Sequence, residues 1–336
     1  MKTKILFLSL LLLCIAFVSI NKNTSKYPKY FPKPIYEIEN YKRTKFKIEL
    51  GRALFYDPVL SKDNSISCAS CHNPYNAFAH VDHNLSHGIN DKPGNRNAPV
   101  LFNLAWHKSF MWDGAINHID VQALAPISHP DEMGESISNV LLKLNRSQTY
   151  RKMFYLAYGD SLMNSQRTLK SISQFLLSLI SCNSKYDSML FGKLSFNLQE
   201  QNGYRLFKLH CNTCHKEPLF STFEFKNNGL SIDTSLNDYG RYRVSLIPKD
   251  SFNFKVPTLR NIEFSYPYMH DGRFKTLAQV MNHYNYIDIK DKKLSLELKN
   301  QLNFSSNEKV DIIAFLRTLT DQKFLFDSKH TYPKNK

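Results

Sequence analysis

Four of the six cysteines fall into two identical patterns, Cys68-Ala-Ser-Cys71-His72 and Cys211-Asn-Thr-Cys214-His215. Both read C-x-x-C-H. Two thiols at this spacing share one helical turn, where each can form a thioether to one of the two vinyl groups of a porphyrin. The adjacent histidine then reaches the iron as its proximal axial ligand. A redox disulfide of the thioredoxin kind would sit in a βαβ context, and nothing around either pair alternates like a strand. A single zinc site would have to join two pairs far apart in the chain and leave both histidines idle. The motifs therefore predict two covalently bound haem c groups. Cys14 is a leader residue, and Cys182 reads as a buried apolar helix residue; neither needs a role.

The elements that must position these motifs are helical. Phe46, Leu50, Ala53 and Leu54 share one face of a helix that Asp57-Pro58 stops. Leu169, Ile172, Leu176 and Leu179 repeat the pattern. Asn197 with Glu200 predicts an N-terminal cap ahead of a helix running into the second C-x-x-C-H. Ser305 with Glu308 forms a capping box before the stripe Ile312, Phe315, Leu316 and Leu319. Residues 73–103 and 221–268 show little periodicity, and loops of that length inside a domain are usually functional, as haem-wrapping segments would be. The halves share the haem motif and no other obvious repeat.

The chain of 336 residues suits two domains, each able to bury a core. Eleven glycines are too few for a turn-heavy all-β fold. The expected class is all-α, with segments 1–20 (leader or anchor), 21–40 (linker), 41–190 (first haem domain), 191–325 (second haem domain) and 326–336 (tail). The formal charge of +15 could suit a nucleic acid, a membrane surface or an acidic protein. Its basic residues are scattered and often paired with acids, with no basic arm or nucleic-acid motif, so no nucleic-acid partner is expected. A basic surface steering an acidic electron donor fits better.

Lys2 and Lys4 precede an apolar run from Ile5 to Ile20. The run is short for a bilayer span of about 20 residues and reads as a signal-peptide core behind a basic n-region. Export, with a periplasmic destination, is expected. No clean small-x-small pair precedes Asn21, and Cys14 lacks the small residue that lipidation wants before it, so an uncleaved anchor or an atypical lipoprotein stays open.

Further stretches carry a resemblance. Leu50-Gly-Arg-Ala-Leu-Phe-Tyr-Asp-Pro58 leads into the first motif, followed by Arg96-Asn-Ala-Pro99, Phe110-Met-Trp-Asp-Gly114, Gln122, Pro126 and Glu132-Met-Gly134. Past the second motif come Phe254-Lys-Val-Pro-Thr-Leu-Arg-Asn261 and Pro267-Tyr-Met-His-Asp-Gly272. From about residue 45 to 320 the chain resembles the bacterial dihaem cytochrome c peroxidases, which include the MauG-type enzymes. The resemblance implies two cytochrome c-like helical domains with the haems on either side of their interface. In this family the N-terminal haem reduces hydrogen peroxide to water. The C-terminal haem takes electrons from a small redox protein, a cytochrome c or a copper protein. The resemblance also implies Ca2+ near the interface and admits a homodimer.

Residue by residue, Glu132 matches the family's catalytic glutamate, Gln122 its distal glutamine and Trp112 the tryptophan between the haems. Alone, Glu132 would read as a solvent-facing acid beside Asp131, and Trp112 as a core residue packed under a loop. Trp106 matches no family role and reads as packing. His87, in a loop that also holds His80 and His83, matches the histidine that caps the peroxidatic haem in many relatives; MauG-type enzymes lack that cap. For the second haem, the family's methionine position falls on Tyr284, and tyrosine is the MauG-type ligand there. Met281 competes, followed by Met269 and His283. A phenolate would lower the haem potential and a methionine raise it. Asn97 matches a calcium side-chain ligand, and Ser265 and Pro267 match carbonyl donors. The implied activity is that of a cytochrome-c peroxidase. A MauG-like oxidase of a protein or organic substrate and a non-catalytic dihaem electron carrier remain as alternatives.

Overall fold

A computed structural model describes residues 27–38 and 44–333. The expected leader, its Cys14 and the two ends of the linker, 21–26 and 39–40, lie outside the described residues. The chain divides into two compact units, 1–31 and 32–336. In the described part of the first, the Phe31 N–H donates to the Pro28 carbonyl, and the Tyr30 and Phe31 rings meet edge to face.

The second unit is helical. In chain order it holds α1 Thr44–Tyr56, α2 Cys68–Cys71, α3 Ile119–Gln122, α4 Leu124–Ser128, α5 Ile137–Arg146, α6 Gln148–Tyr158, α7 Ser165–Ser178 and α8 Lys185–Leu190. There follow α9 Leu198–His210, α10 Tyr242–Ser245, α11 Leu277–Asn285, α12 Ser306–Arg317 and α13 Gln322–Leu325. The described strands are β1 Phe225–Lys226 and β2 Phe254–Lys255, paired antiparallel across the long second loop. Both expected caps are present: Asn197 with Glu200 opens α9, and Ser305 with Glu308 opens α12. Asp57 ends α1 by accepting the Val59 N–H, ahead of the proline ring that blocks another turn.

Two helix pairs form the frame. In α1 packed on α7, a Cβ at Gly51 would lie 1.9 Å from the Ser171 carbonyl oxygen and 3.0 Å from the Phe175 Cβ. In α9 packed on α12, a Cβ at Gly203 would lie 1.9 Å from the Asp311 carbonyl oxygen and 2.9 Å from the Phe315 Cβ. Only glycine lets these backbones approach so closely. The crossing point also corrects one expectation: Leu50, Ala53 and Leu54 are buried, whereas Phe46, a turn before Gly51, is 40% exposed. The other two apolar stripes are buried as read, with Leu179 just beyond the end of α7.

The halves share more than the haem motif, which corrects a second expectation. Pro99, Leu101, Asn103, Met111, Asp113 and Gly114 correspond without insertion to Pro257, Leu259, Asn261, Met269, Asp271 and Gly272. Asn103 and Asn261 both adopt left-handed backbone (φ 54° and 56°). The N–H of Asn103 donates to Leu179 at the end of α7, and that of Asn261 to Leu319 at the end of α12. The bridge Phe110–Ile116 recurs as Tyr268–Phe274. In this repeat Trp112 corresponds to His270. Side-chain identity hides the relation, because the shared features are backbone conformations held by a few residues.

Cys182 is a third correction. It is half-buried in the turn between α7 and α8, where its N–H donates to Asp321 (2.8 Å), rather than inside a helix. Trp106 is buried and donates its indole N–H to the Pro32 carbonyl (2.7 Å). The segment after α12 returns to the first half, where Phe324 and His330 pack on Phe78. Among the described residues, no helix is long and apolar enough to cross a membrane.

Candidate functional site

The two C-x-x-C-H motifs are held alike. Ser67 and Ser70 cap the short turn of α2, and Cys211 ends α9, so both thiol pairs project from helical turns. The Nδ1–H of His72 donates to the Phe78 carbonyl at 2.8 Å. That of His215 lies 3.1 Å from the Pro257 carbonyl and 3.3 Å from that of Phe220. A carbonyl can only accept, so Nδ1 carries the proton in both rings and Nε2 keeps its lone pair for a metal. A ligating imidazole is oriented in this way. Burial lowers both histidines to about 4, which keeps the rings neutral.

The thiols argue against the competing readings. All four are free, and burial raises Cys68 and Cys211 to about 12. A reactive redox pair needs a depressed thiol pKa. Among the described residues, no group of three or more His, Cys, Asp or Glu converges on a metal position.

A cavity of about 470 Å³ opens beside the second motif and extends to the first half. Cys211, Cys214 and His215 line one end; Trp112, Gln122, Asn97 and Ala98 line the other. Its walls are largely apolar, with Leu259, Ile262, Leu277, Leu316 and Phe304 among them. Size, lining and the oriented His215 imidazole at its end fit a tetrapyrrole.

Gln122, at the end of α3, is buried and faces this cavity. The Trp112 indole N–H donates to the Asn97 carbonyl (2.9 Å), and its own carbonyl accepts from the Lys255 N–H (2.7 Å). Glu132 is not part of the cavity lining but stands by the first motif, close enough for its charge to raise the Cys71 thiol. Burial raises the Glu132 carboxyl above its ordinary value; His129 opposes that shift and Asp131 adds to it. Its carbonyl accepts the Ile89 N–H (2.8 Å), and a Cβ at Gly88 would come within 2.5 Å of the Glu132 Cα.

His87 lies outside the cavity lining. Its carbonyl receives the Cys71 thiol at 3.4 Å, its Nδ1 pairs with Asp91 at 2.7 Å, and its ring stacks on His83 with centroids 4.3 Å apart. His80 completes the row, with a buried Nδ1 that has no hydrogen-bond partner among the described residues.

At the second motif, Tyr284 and Met281 both face the cavity from α11. Burial raises the Tyr284 phenol to about 12, partly offset by a hydrogen bond with Asn228, while Cys211 and Cys214 lie within electrostatic reach. Met281 also packs into the core with Phe207, Leu277 and Phe315. Met269 lines the same cavity, its sulfur 3.3 Å from the Asn228 amide. His283 is engaged with the Asn228 carbonyl at 3.0 Å. Asn97, Ser265 and Pro267 also line the cavity, and the Asn97 amide nitrogen donates to the Asn84 carbonyl (3.0 Å).

Three residues were not singled out from the sequence. Arg96 binds Asp238 through Nε and Nη2 (2.6 and 2.8 Å) and Asp113 through Nη1 (2.7 Å), fastening the two long loops together. Lys255 is buried, its amino group bonded to the Ser109 carbonyl and 5.9 Å from the centroids of Phe110 and Phe225. The buried Nε2 of His107 has no hydrogen-bond partner among the described residues. Arg96 and Lys255 belong to quoted motifs, but His107 has no signal in the sequence.

The family model described as di-haem cytochrome c peroxidase matches residues 45–195. The cytochrome c551 peroxidase of Nitrosomonas europaea is 36% identical, covering 81% of this chain and 79% of its own. The methylamine utilization protein MauG of Methylorubrum extorquens is 33% identical over 81% of this chain and 78% of its own. The crystal structure of a MauG-like protein associated with microbial copper homeostasis superposes with a TM-score of 0.82 at 28% identity, covering 93% of this chain and 99% of the other. With identity at this level along both halves, the chain belongs to the di-haem cytochrome c peroxidase family, among whose members are MauG proteins.

Proposed function

We propose that the protein is a dihaem cytochrome c peroxidase. It reduces hydrogen peroxide to two waters at the haem tethered by Cys68 and Cys71, using two electrons and two protons. Electrons enter from a small redox protein through the haem tethered by Cys211 and Cys214. The observation that carries this reading is Glu132, a desolvated carboxyl beside Cys71 with its pKa pushed upward. An electron carrier has no use for a proton-moving group there.

Haem, when bound, supplies an iron that accepts the peroxide oxygen and passes electrons to it. The chain's own residues handle position and protons. His72 and His215, fixed through Nδ1, each present Nε2 to an iron. Glu132 accepts a proton from the peroxide oxygen nearer the iron and returns it to the departing oxygen. Its raised pKa brings it nearer to the working pH, where both transfers are easy. The Gln122 amide donates a hydrogen bond to steady the developing charge. Trp112, on the wall of the cavity at the second motif, relays electrons to the first haem. Asn97, Ser265 and Pro267 are the residues assigned to Ca2+, and His87 is the residue assigned to cap the first haem at rest. The basic surface favours an acidic donor, and the leader directs the protein to the periplasm.

A second reading, a MauG-like oxidase, has one specific observation in its favour. Tyr284 occupies the cavity within electrostatic reach of both thiols of the second motif, where a phenolate ligand would lower the potential. Steady-state peroxide consumption by holoprotein with a reduced cytochrome c or copper protein separates the two. Turnover at enzymatic rates supports the peroxidase. Donor-independent retention of the oxidising equivalents, with no turnover, supports the oxidase.

A further inference from the structure

Lys255 and His107 are two basic side chains that face the cavity without a carboxylate of their own. The Lys255 side chain, in β2, is 7% exposed. Its amino group has one neutral partner, the Ser109 carbonyl. His107 lies on the same wall, its ring 4.1 Å from Phe223, its Nε2 buried and unbonded. Both line the cavity with Trp112 and the second motif.

The charges around them do not balance. Arg96, Arg241 and Lys255 crowd this region, and the acids facing them are Asp113 and Asp238. Both Asp238 oxygens and one Asp113 oxygen are taken by Arg96. The Arg241 guanidinium binds the backbone carbonyls of Asp113 and Gly114. One positive charge is therefore left without an acid of its own, on a buried lysine. A buried ammonium without a counter-ion and a buried nitrogen without a partner are both costly. Burial pushes Lys255 down to about 7, Asp113 resists that shift, and Arg241 adds to it. Lys255 in turn presses the buried His107 further below its ordinary value.

We propose that Lys255 and His107 form a carboxylate clamp that receives a propionate of a haem bound in this cavity. One carboxylate takes the ammonium through one oxygen and the imidazole nitrogen through the other. It supplies the missing negative charge and satisfies the orphaned Nε2 in one step. A haem carries two such carboxylates on the edge opposite the vinyl groups. The assignment rests on haem filling the cavity, and it ties that haem's charge to a residue whose backbone N–H binds the Trp112 carbonyl.

The test is spectroelectrochemical, on holoprotein with two haems per chain by pyridine haemochromogen assay. Lys255→Met removes the cation, leaves the propionate uncompensated and favours the oxidised iron. One haem potential falls and the other holds, and Lys255→Arg restores the wild-type value. His107→Leu lowers the same potential by less. Two unmoved potentials in loaded Lys255→Met, or equal movement of both, overturn the clamp. Should that variant fail to load haem, the crystal structure of wild-type holoprotein decides. A propionate bonded to Lys255 Nζ and His107 Nε2 supports the clamp; a buffer anion, water or nothing there overturns it. Wild-type protein that carries no haem would instead refute the haem reading itself, which keeps the two failures apart.

Discussion

The indole of Trp112 hangs from Asn97: its Nε1–H donates to the Asn97 carbonyl at 2.9 Å. Asn97 is in turn anchored across the repeat, its N–H donating to the carbonyl of His270 at 2.7 Å. His270 is the repeat counterpart of Trp112, whose own carbonyl accepts the Lys255 N–H (2.7 Å), so each half helps to hold the other's aromatic residue. The Trp112 ring is thereby fixed on the wall of the cavity that opens at the second haem motif.

Trp112→Phe keeps an aromatic ring, though a smaller one, and removes the hydrogen bond. The expected stability loss is about 1 kcal/mol, read from thermal unfolding. The expected loss in donor-dependent peroxide turnover is about tenfold, equivalent to about 1.4 kcal/mol in the barrier. Haem content and the rate of donor oxidation at the second haem should not change. A variant as active as the wild type would remove Trp112 from the electron path.

The helix crossings offer a test of the repeat. Gly51→Ala places a Cβ 1.9 Å from the Ser171 carbonyl, and Gly203→Ala places one 1.9 Å from that of Asp311. Neither obstacle is a flexible side-chain end, so each pair must move apart at a cost of about 1–3 kcal/mol or more. Calorimetry of the two variants should show comparable destabilisation. The absorption and EPR changes should fall on the first haem for Gly51→Ala and on the second for Gly203→Ala.

Arg260 and Asp187 form a fully buried bidentate pair with bonds of 2.9 and 2.7 Å. Arg260→Met strands the carboxylate and should cost about 3–5 kcal/mol, most of it recovered in the double variant with Asp187→Leu. Burial alone would raise the Asp187 carboxyl, but the Arg260 hydrogen bonds outweigh it, and the net folded pKa is lowered. The pair's stabilisation is therefore present above the unfolded value near 3.8 and is lost as pH falls through the lower folded pKa. Denaturant titrations from pH 6 downward should show this acid loss in the wild type and a smaller one in Asp187→Asn.

Tyr284→Phe tests the second haem. If the phenol oxygen ligates iron, the variant loses that ligand; the EPR spectrum of the second haem changes, its potential rises, and the first haem's signal stays as it was. Met281→Leu should leave both signals in place. The reverse pattern would assign the ligand to Met281.

Much of this architecture could be read from residues alone, because the readable features are local. C-x-x-C-H specifies its own geometry within one turn. The caps at Asn197 and Ser305 and the stripes on α7 and α12 depend only on neighbours a few positions away. Phe46 departs from its stripe because its burial depends on where α7 crosses α1, which is set at Gly51 and Ser171. The internal repeat escaped notice because it lies in left-handed turns at Asn103 and Asn261, whose flanking side chains differ. His107 was invisible for a similar reason: its orphaned nitrogen matters only once Lys255, far along the chain, is placed on the same wall.

The most direct test of the central claim is kcat/KM for hydrogen peroxide in Glu132→Gln, measured from pH 4 to 8 with a reduced donor in excess. A proton-moving Glu132 predicts a loss of about 10²–10⁴-fold with both haems still bound. It also predicts that the wild-type acid limb, in which kcat/KM rises with pH through a carboxyl pKa above the ordinary 4.5, disappears in the variant. A loaded variant with wild-type kcat/KM and an unchanged acid limb would contradict the assignment of Glu132 and, with it, peroxide reduction at the first haem as proposed.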